Sequence, residues 1–262
     1  MTYERKVEFA IKLLQSIPQD CPGGIEISYS GGKDSDVILE LAKMAGIPYE
    51  AIYKNTTVDR PGTIAHCKEM GVTIVQPKKT MTQLIEYAGW PSRWNRFCCS
   101  FLKEYKIKER AVQGIRRCES TKRAKRYKEP EVCRVYNKKE KVRIYLPILE
   151  WTNEDVERFI AERGIKCHPH YYDEDGNFHV ERRVGCVGCP LQADNGKADF
   201  RAYPKLFKAE AMAFKRWWNT HPQAKTVKSF PNMWDALYMK LFCNNMQEYK
   251  DAIAPPYSLS IS

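Results

Sequence analysis

Two rhythms alternate along the first 165 positions. Residues 24–30, GIEISYS, are a short apolar run ending at glycines and predict a strand. The following KDSDVILELAKMAG has apolar residues at helical spacing and closes at Gly46. The same pair recurs: YEAIYKNT (49–56) as a strand, then a helix through PGTIAHCKEMG with Pro61 near its start. VTIVQP then predicts a strand and TMTQLIEYAG a helix. Farther on, FLKEYKIKER (101–110) reads as helix, AVQGIRR as strand, and 131–148 as a hairpin turning at Asn137 and Lys138. WTNEDVERFIAERGI reads as a helix capped by Thr152 or Asn153 and closed near Gly164. The N-terminal MTYERKVEFAIKLLQSI has the spacing of an amphipathic helix.

Strands separated by helices of this length predict an α/β fold with a doubly wound, mostly parallel sheet over residues 1–165. Past 165 proline, histidine and aromatic residues become frequent, and 200–221 and 232–249 are helical in pattern. Residues 166–262 are therefore expected to form a smaller helical C-terminal subdomain.

Composition adds limits. No long uncharged apolar run exists, so no membrane span and no membrane partner are expected. The N-terminal helix lacks the apolar block and cleavage site of a secretion signal, which predicts a cytoplasmic protein. Ten cysteines are then expected to be mostly reduced. Cys21, Cys67, Cys118, Cys133 and Cys167 read as small buried hydrophobes. The net charge is +11, and residues 101–128 alone hold eleven Lys and Arg against three Glu. A solvated helix face explains such a run, and so does an anionic ligand or nucleic acid.

At the first strand-to-helix junction stands SYSGGKDSD. Gly31 and Gly32 let the backbone approach a ligand, and the amides of the next helix start carry the positive end of its dipole. Ser30, Lys33, Asp34 and Ser35 complete the string, which fits neither the Walker nor the Rossmann spacing. As an intact Ser-Gly-Gly-Lys-Asp-Ser it resembles the pyrophosphate-binding loop of the adenine-nucleotide alpha-hydrolase superfamily. Within that superfamily the chain is similar to the phosphoadenosine-phosphosulfate (PAPS) and adenylyl-sulfate reductase family. The resemblance continues through NTTVDRPGT with Asp59, GIRRCESTKRAKR (114–126), PILEWTNEDVERFI, and HPHYYDEDGNFHVERRVGCVGCP, covering roughly 24–191. It implies a bound adenine nucleotide: adenylyl sulfate, PAPS or ATP. Arg116, Arg117 and Arg123 suit its oxyanions, with Glu119 orienting one of them and Ser120 bonding a phosphate oxygen. A surface ion-pair network is the other reading of those residues.

Cys98 and Cys99 are adjacent, and a disulfide between neighbours strains the bridge geometry. Downstream, GCVGCP supplies Cys186 and Cys189. Four thiols are the number for a zinc site or an iron–sulfur cluster. Neighbouring thiolates can each take a different corner of a cluster, which favours iron over zinc; a redox dithiol is the third reading. The family resemblance implies a [4Fe-4S] cluster on these four residues. His168, His170 and His179 read as hydrogen-bonded loop residues rather than as ligands.

One part of the family pattern is missing. Sulfonucleotide reductases carry a nucleophilic cysteine in a C-terminal Glu-Cys-Gly-x-His motif, and this chain has none. Cys243 is the only cysteine past the Cys-x-x-Cys pair, in an apolar helical pattern. Three expectations stand. The first is a sulfonucleotide reductase using Cys243 or an external thiol or thioredoxin-like reductant. The second is an ATP pyrophosphatase-type sulfurtransferase that uses Mg²⁺ with ATP and adenylates a nucleic acid or other acceptor. The third is a nucleotide-binding cluster protein acting as a sensor.

Overall fold

The structure, a computed structural model, describes residues 1–20, 23–136 and 140–253. Cys21 and the expected turn at Asn137 and Lys138 lie outside them. The chain divides into two compact units, Met1–Pro77 with Cys99–Cys186, and Lys78–Cys98 with Val187–Ser262. These are not the two blocks read from the sequence, which met at 165/166.

In the first unit, α1 (Tyr3–Gln15) starts at Thr2, whose hydroxyl accepts from the Arg5 amide, and buries Ala10 and Leu14. Next come β1 (Ile25–Tyr29), α2 (Lys33–Ala45), β2 (Glu50–Lys54), α3 (Thr63–Glu69) and β3 (Thr73–Val75). Gly46 closes α2 in the left-handed conformation expected of a glycine cap. In the second unit α4 (Met81–Ala88) follows, opened by a capping box at Thr80. The first unit resumes through α5 (Phe97–Leu102), most of which belongs to it, β4 (Arg110–Val112), α6 (Thr121–Arg126), β5 (Glu131–Tyr136), β6 (Glu140–Tyr145) and α7 (Asn153–Arg163). The expected helix over 101–110 is only the tail of α5. The amides of Lys103 and Glu104 both donate to the Cys99 carbonyl, and Lys106 takes a φ of 46°, so the chain turns out of the helix. Thr152, rather than Asn153, caps α7 through the Asp155 amide.

The six strands run in the order β3-β2-β1-β4-β6-β5. All neighbours are parallel except β5 and β6, the antiparallel hairpin. The alternation of strand and helix thus yields the expected α/β, mostly parallel sheet. Side chains alternate across a strand, so β1 sends Ile25, Ile27 and Tyr29 into a core with α1, α2 and α7. Glu26 and Ser28 face the other side. A second core of Ala111, Tyr127, Tyr136, Val142 and Ile144 belongs to the β4-β6-β5 end. Chain order departs from β1 in both directions, to β2 on one side and β4 on the other. The carboxyl ends of β1 and β4 therefore flank a switch point, where open parallel sheets leave a crevice for ligands.

The second unit is helical: α4 packs against α9 (Pro204–Thr220), with α8 (Lys197–Ala202), α10 (Lys225–Ser229), α11 (Met233–Phe242) and α12 (Met246–Ile253). Trp90 gathers Phe200, Phe207 and Phe214 within 5.8–6.3 Å between ring centroids. Arg216 donates to Glu86 at 2.7 Å and ties α9 to α4. Residues 78–98 thus belong to this helical unit. No helix among the described residues is long and apolar enough to cross a membrane.

Candidate functional site

The Ser30–Ser35 turn sits at the carboxyl end of β1, at the switch point. Gly31 has a φ of 76°, and a Cβ there would fall 2.8 Å from Thr63 Cγ2; only glycine fits both demands. Gly114, just past β4, is similarly confined, since a Cβ would stand 3.0 Å from the Asp34 carbonyl oxygen. These two positions let the ends of β1 and β4 close on one another. Within the turn the Ser35 hydroxyl donates to the Gly32 carbonyl at 2.6 Å, and Ser30 donates to Ser35 at 3.2 Å. The Lys33 amide donates to the Tyr171 hydroxyl at 3.1 Å, so that amide is directed into the protein.

Cavities lie on both sides of the turn. One of about 350 Å³ lies on the Glu26 and Ser28 side of the sheet, lined by Ser30, Ser35, Gln113, Arg123 and Arg134 among others. Its size is that of a small-molecule pocket. A second, of about 310 Å³, is lined by Lys33, Arg116, Glu119, Asn153 and Arg183. The Lys33 side chain is 4% exposed, 3.4 Å from Asp34 and 5.3 Å from the centre of the Tyr171 ring. Burial lowers its pKa.

The expected arginines divide by role. Arg116 is fully buried and turned inward: Nε donates to Asp34 at 2.7 Å, and Nη1 to Asn153 at 3.0 Å and to the Cys118 sulfur at 3.1 Å. It fixes Asp34, and through Asp34 the Lys33 ammonium. Arg117 pairs with Glu150 and donates to the carbonyls of Tyr127 and Lys128, tying together the ends of the α6 segment, and it lines neither cavity. Arg123 does line the larger cavity and pairs with Glu119. Glu119 also accepts from the Arg116 amide at 3.2 Å. Ser120 caps α6 by accepting from the Arg123 amide at 3.2 Å.

Beneath the turn, buried Asp36 accepts from Tyr29 and from His66 Nε2, the latter at 3.0 Å. His168 lies 3.3 Å from the Thr63 hydroxyl, and its ring centroid is 5.9 Å from that of His66. Burial, with His66 and His170 nearby, pushes His168 down to about 4. His179 is held by Asp173 and Glu181. These histidines are hydrogen-bonded, as read from the sequence.

Asp59 lies in the loop after β2, where its carboxylate accepts from the Thr56 amide at 2.8 Å and its backbone pairs with Cys186. The Cys186 sulfur is 3.5 Å from the Thr56 hydroxyl. Cys186 above all, with Asp59 and Cys99, raises the pKa of Lys103, which also lines the larger cavity. Cys99 and Cys186 belong to the first unit, Cys98 and Cys189 to the second. As donors, four thiols suit a cluster in kind and number. Among the described residues, however, no three His, Cys, Asp or Glu side chains are gathered as a metal site.

Two cysteines expected to be buried are not: Cys118, in the turn after Arg117, and Cys133, on the edge strand β5, are exposed, whereas Cys67 and Cys167 are buried. Cys243 ends α11 and is buried; burial and Glu248 raise its thiol. Lys103, Arg134, Tyr171 and Arg183 escaped the sequence reading. Lys103 stands four residues after Cys99, and Arg183 closes the Arg-Arg pair before Gly185; those spacings were the available signals.

Residues 24–192 match the model of the phosphoadenosine phosphosulfate reductase domain. An uncharacterised protein of Methanocaldococcus jannaschii is 30% identical over 230 residues, covering 81% of this chain and 53% of the relative. The chain thus spans about half the length of that curated relative. Among solved structures, the Candida glabrata FMN adenylyltransferase in complex with FAD and inorganic pyrophosphate superposes with a TM-score of 0.49 at 15% identity. That match covers 71% of this chain and 63% of the other. The phosphate complex of phosphoadenylyl-sulfate reductase from Candida auris gives a TM-score of 0.43 at 14% identity, covering 64% and 88%.

Proposed function

Because the chain belongs to the phosphoadenosine phosphosulfate reductase domain family, we propose that it binds an adenine nucleotide at Ser30–Ser35 and reduces a sulfonucleotide held there. One observation carries the reading: the glycine turn lies at the switch point of the sheet and opens on a cavity of about 350 Å³. In this reading Ser30 and Ser35 face the 5′-phosphate from the cavity side, and Lys33 and Arg123 offset its charge. Asp34 and Arg116 hold Lys33 in place.

The reaction is a two-electron reduction. A thiolate attacks the sulfur of adenylyl sulfate or its 3′-phosphorylated form, and the bond from sulfur to the bridging oxygen breaks. The nucleotide leaves with the bonding electrons. A second thiol then displaces sulfite, and the two thiols end as a disulfide. Cys243 is buried with a raised pKa, and burial makes thiols inert. The attacking thiol is therefore assigned to an external dithiol or thioredoxin-like reductant. We also propose a [4Fe-4S] cluster on Cys98, Cys99, Cys186 and Cys189. That reading is supported by donor chemistry and by the charge of Lys103, and no reaction step is assigned to the cluster.

The basic stretch 101–128, with eleven Lys and Arg, suits a nucleic-acid acceptor and favours a second reading, in which ATP with Mg²⁺ is cleaved to AMP and pyrophosphate and an adenylated acceptor receives sulfur. Incubation with adenylyl sulfate or PAPS and a dithiol should release sulfite. Pyrophosphate from ATP, with no sulfite from either sulfonucleotide, would replace the first reading with the second. Oxygen-free purification should give a brown protein with iron and sulfide; a colourless protein holding stoichiometric zinc would end the cluster proposal.

A further inference from the structure

The second unit carries a surface that the proposed nucleotide site does not use. Helix α11 buries Met233, Ala236, Leu237 and Leu241. Beside that column Trp234, Tyr238 and Phe242 follow at four-residue intervals, so they share one face of the helix with a rise of roughly 6 Å per step. All three are exposed, Trp234 by 60%. Tyr238 and Phe242 stack with 5.0 Å between ring centroids and 20° between planes. A single exposed apolar residue is ordinary, whereas a stripe of aromatic rings marks an interaction surface.

Charge decides what the stripe takes. At its C-terminal end Lys197 stands 5.3 Å from the Phe242 ring centroid. The Leu241 carbonyl accepts from Asn195, whose side-chain oxygen accepts from Arg93 Nε at 2.9 Å. Trp94, the residue after Arg93, is 88% exposed. Among the described residues neither Arg93 nor Lys197 forms an ion pair with a carboxylate. Asp194, which senses the Lys197 charge, accepts from the amides of Gly196 and Ala198. The helix's own Asp235 lies in its first turn, at the other end, and accepts from the Asn232 side chain. The unit as a whole holds fourteen Lys and Arg against seven Asp and Glu. A second copy of the chain would bring the same positive charge, which opposes self-association over this face. Exposed rings beside cations without a paired carboxylate suit a ligand made of planar bases and phosphates. We propose that the exposed face of α11 binds a single strand of nucleic acid. Its bases stack on Trp234, Tyr238 and Phe242, and its phosphates meet Lys197 and Arg93.

The test is fluorescence anisotropy of the full chain with short labelled single strands of DNA and RNA and with a DNA duplex of the same sequence. At least one single strand should bind more tightly than the duplex. Trp234→Ala should weaken that binding about fivefold to a hundredfold, the range of one base stacked on one ring. Trp234→Phe should recover most of the loss, because a ring returns. Lys197→Ala should lower the slope of log affinity against log salt by about 0.7, the share of one phosphate on a single strand. Urea midpoints of these variants should match wild type, since Trp234 lies outside the core. Binding unchanged in the double variant Trp234→Ala, Tyr238→Ala would put the strand on another basic surface and overturn the assignment. A duplex bound as tightly as the single strands, or no binding at low salt, would overturn it as well. A dimer that the double variant abolishes would give the face to a second copy instead. Polyglutamate bound as tightly as the strand, and lost in the same variants, would give it to an acidic protein.

Discussion

The first unit buries its ionised groups as a connected set. Lys33 and Arg116 both reach Asp34, Glu119 receives the Arg116 amide and the Arg123 guanidinium, and Asp36 is bonded by Tyr29 and His66. On α9 of the second unit, Glu210 is 2% exposed, and its Oε1 has no hydrogen-bond partner among the described residues. Burial alone pushes that carboxyl up to about 8. Burial without a partner favours the protonated form of an acid. The difference separates a region of paired charges from one built on aromatic packing.

The sharpest way to break that contrast is to remove Arg116. Arg116→Ala leaves partly buried Asp34 with Lys33, 3.4 Å away, as its remaining cation, and losing one member of a buried ion pair costs about 3–5 kcal/mol, an upper bound here. Urea denaturation should show that loss, and calorimetry should show AMP binding weakened at least tenfold as Lys33 loses its anchor. Arg116→Lys should recover little, because one ammonium cannot serve Asp34, Asn153 and the Cys118 sulfur together. A variant as stable as wild type would mean that the connected set is decorative.

Glu210 and His168 sharpen the comparison with effects of opposite sign. The folded-state pKa of Glu210 is raised from 4.5 to about 8. As pH rises between those values the unfolded chain releases a proton that the folded chain retains, so stability falls, by on the order of 5 kcal/mol over the window. Glu210→Gln should flatten that limb. His168 is lowered from 6.5 to about 4, so the unfolded chain binds the extra proton in that range. Stability is therefore lost as pH falls from 6.5 toward 4, by on the order of 3 kcal/mol. His168→Gln should remove this second slope and leave the first. Urea midpoints measured from pH 4 to 9 check both, and a single slope unaffected by either substitution would refute them.

The alternation of strand and helix made the parallel sheet legible, and Ser-Gly-Gly-Lys-Asp-Ser marked the turn, because backbone geometry is written in local residue types. The two-unit division was not legible: helix α4 follows strand β3 in the chain like any crossover, and only its packing on α9 takes it elsewhere. Side-chain direction was hidden as well. Arg116, Arg117, Arg123 and Arg134 look alike in the sequence, yet one anchors Asp34, one ties a loop, one pairs with Glu119 beside the cavity and one faces a cavity from an edge strand. The length of α5 was misread because its stop is a carbonyl shared by two amides, with no glycine or proline to announce it.

Ser120 offers the finest discrimination, since the family pattern makes it a phosphate contact and the structure makes it a helix cap. As a cap it satisfies an amide of the short helix α6, and Ser120→Ala should cost about 0.5–1 kcal/mol. That loss should be local, with AMP affinity kept within about twofold, because Arg123 can still reach the cavity from a frayed helix. Ser120→Asp separates the two roles further: aspartate caps as well as serine, whereas a carboxylate beside a bound phosphate repels it. Retained stability and retained AMP affinity in Ser120→Asp would confine this residue to the scaffold. Retained stability with a tenfold or greater loss of affinity would move it to the ligand, and would extend the ligand-holding set of the first unit onto α6.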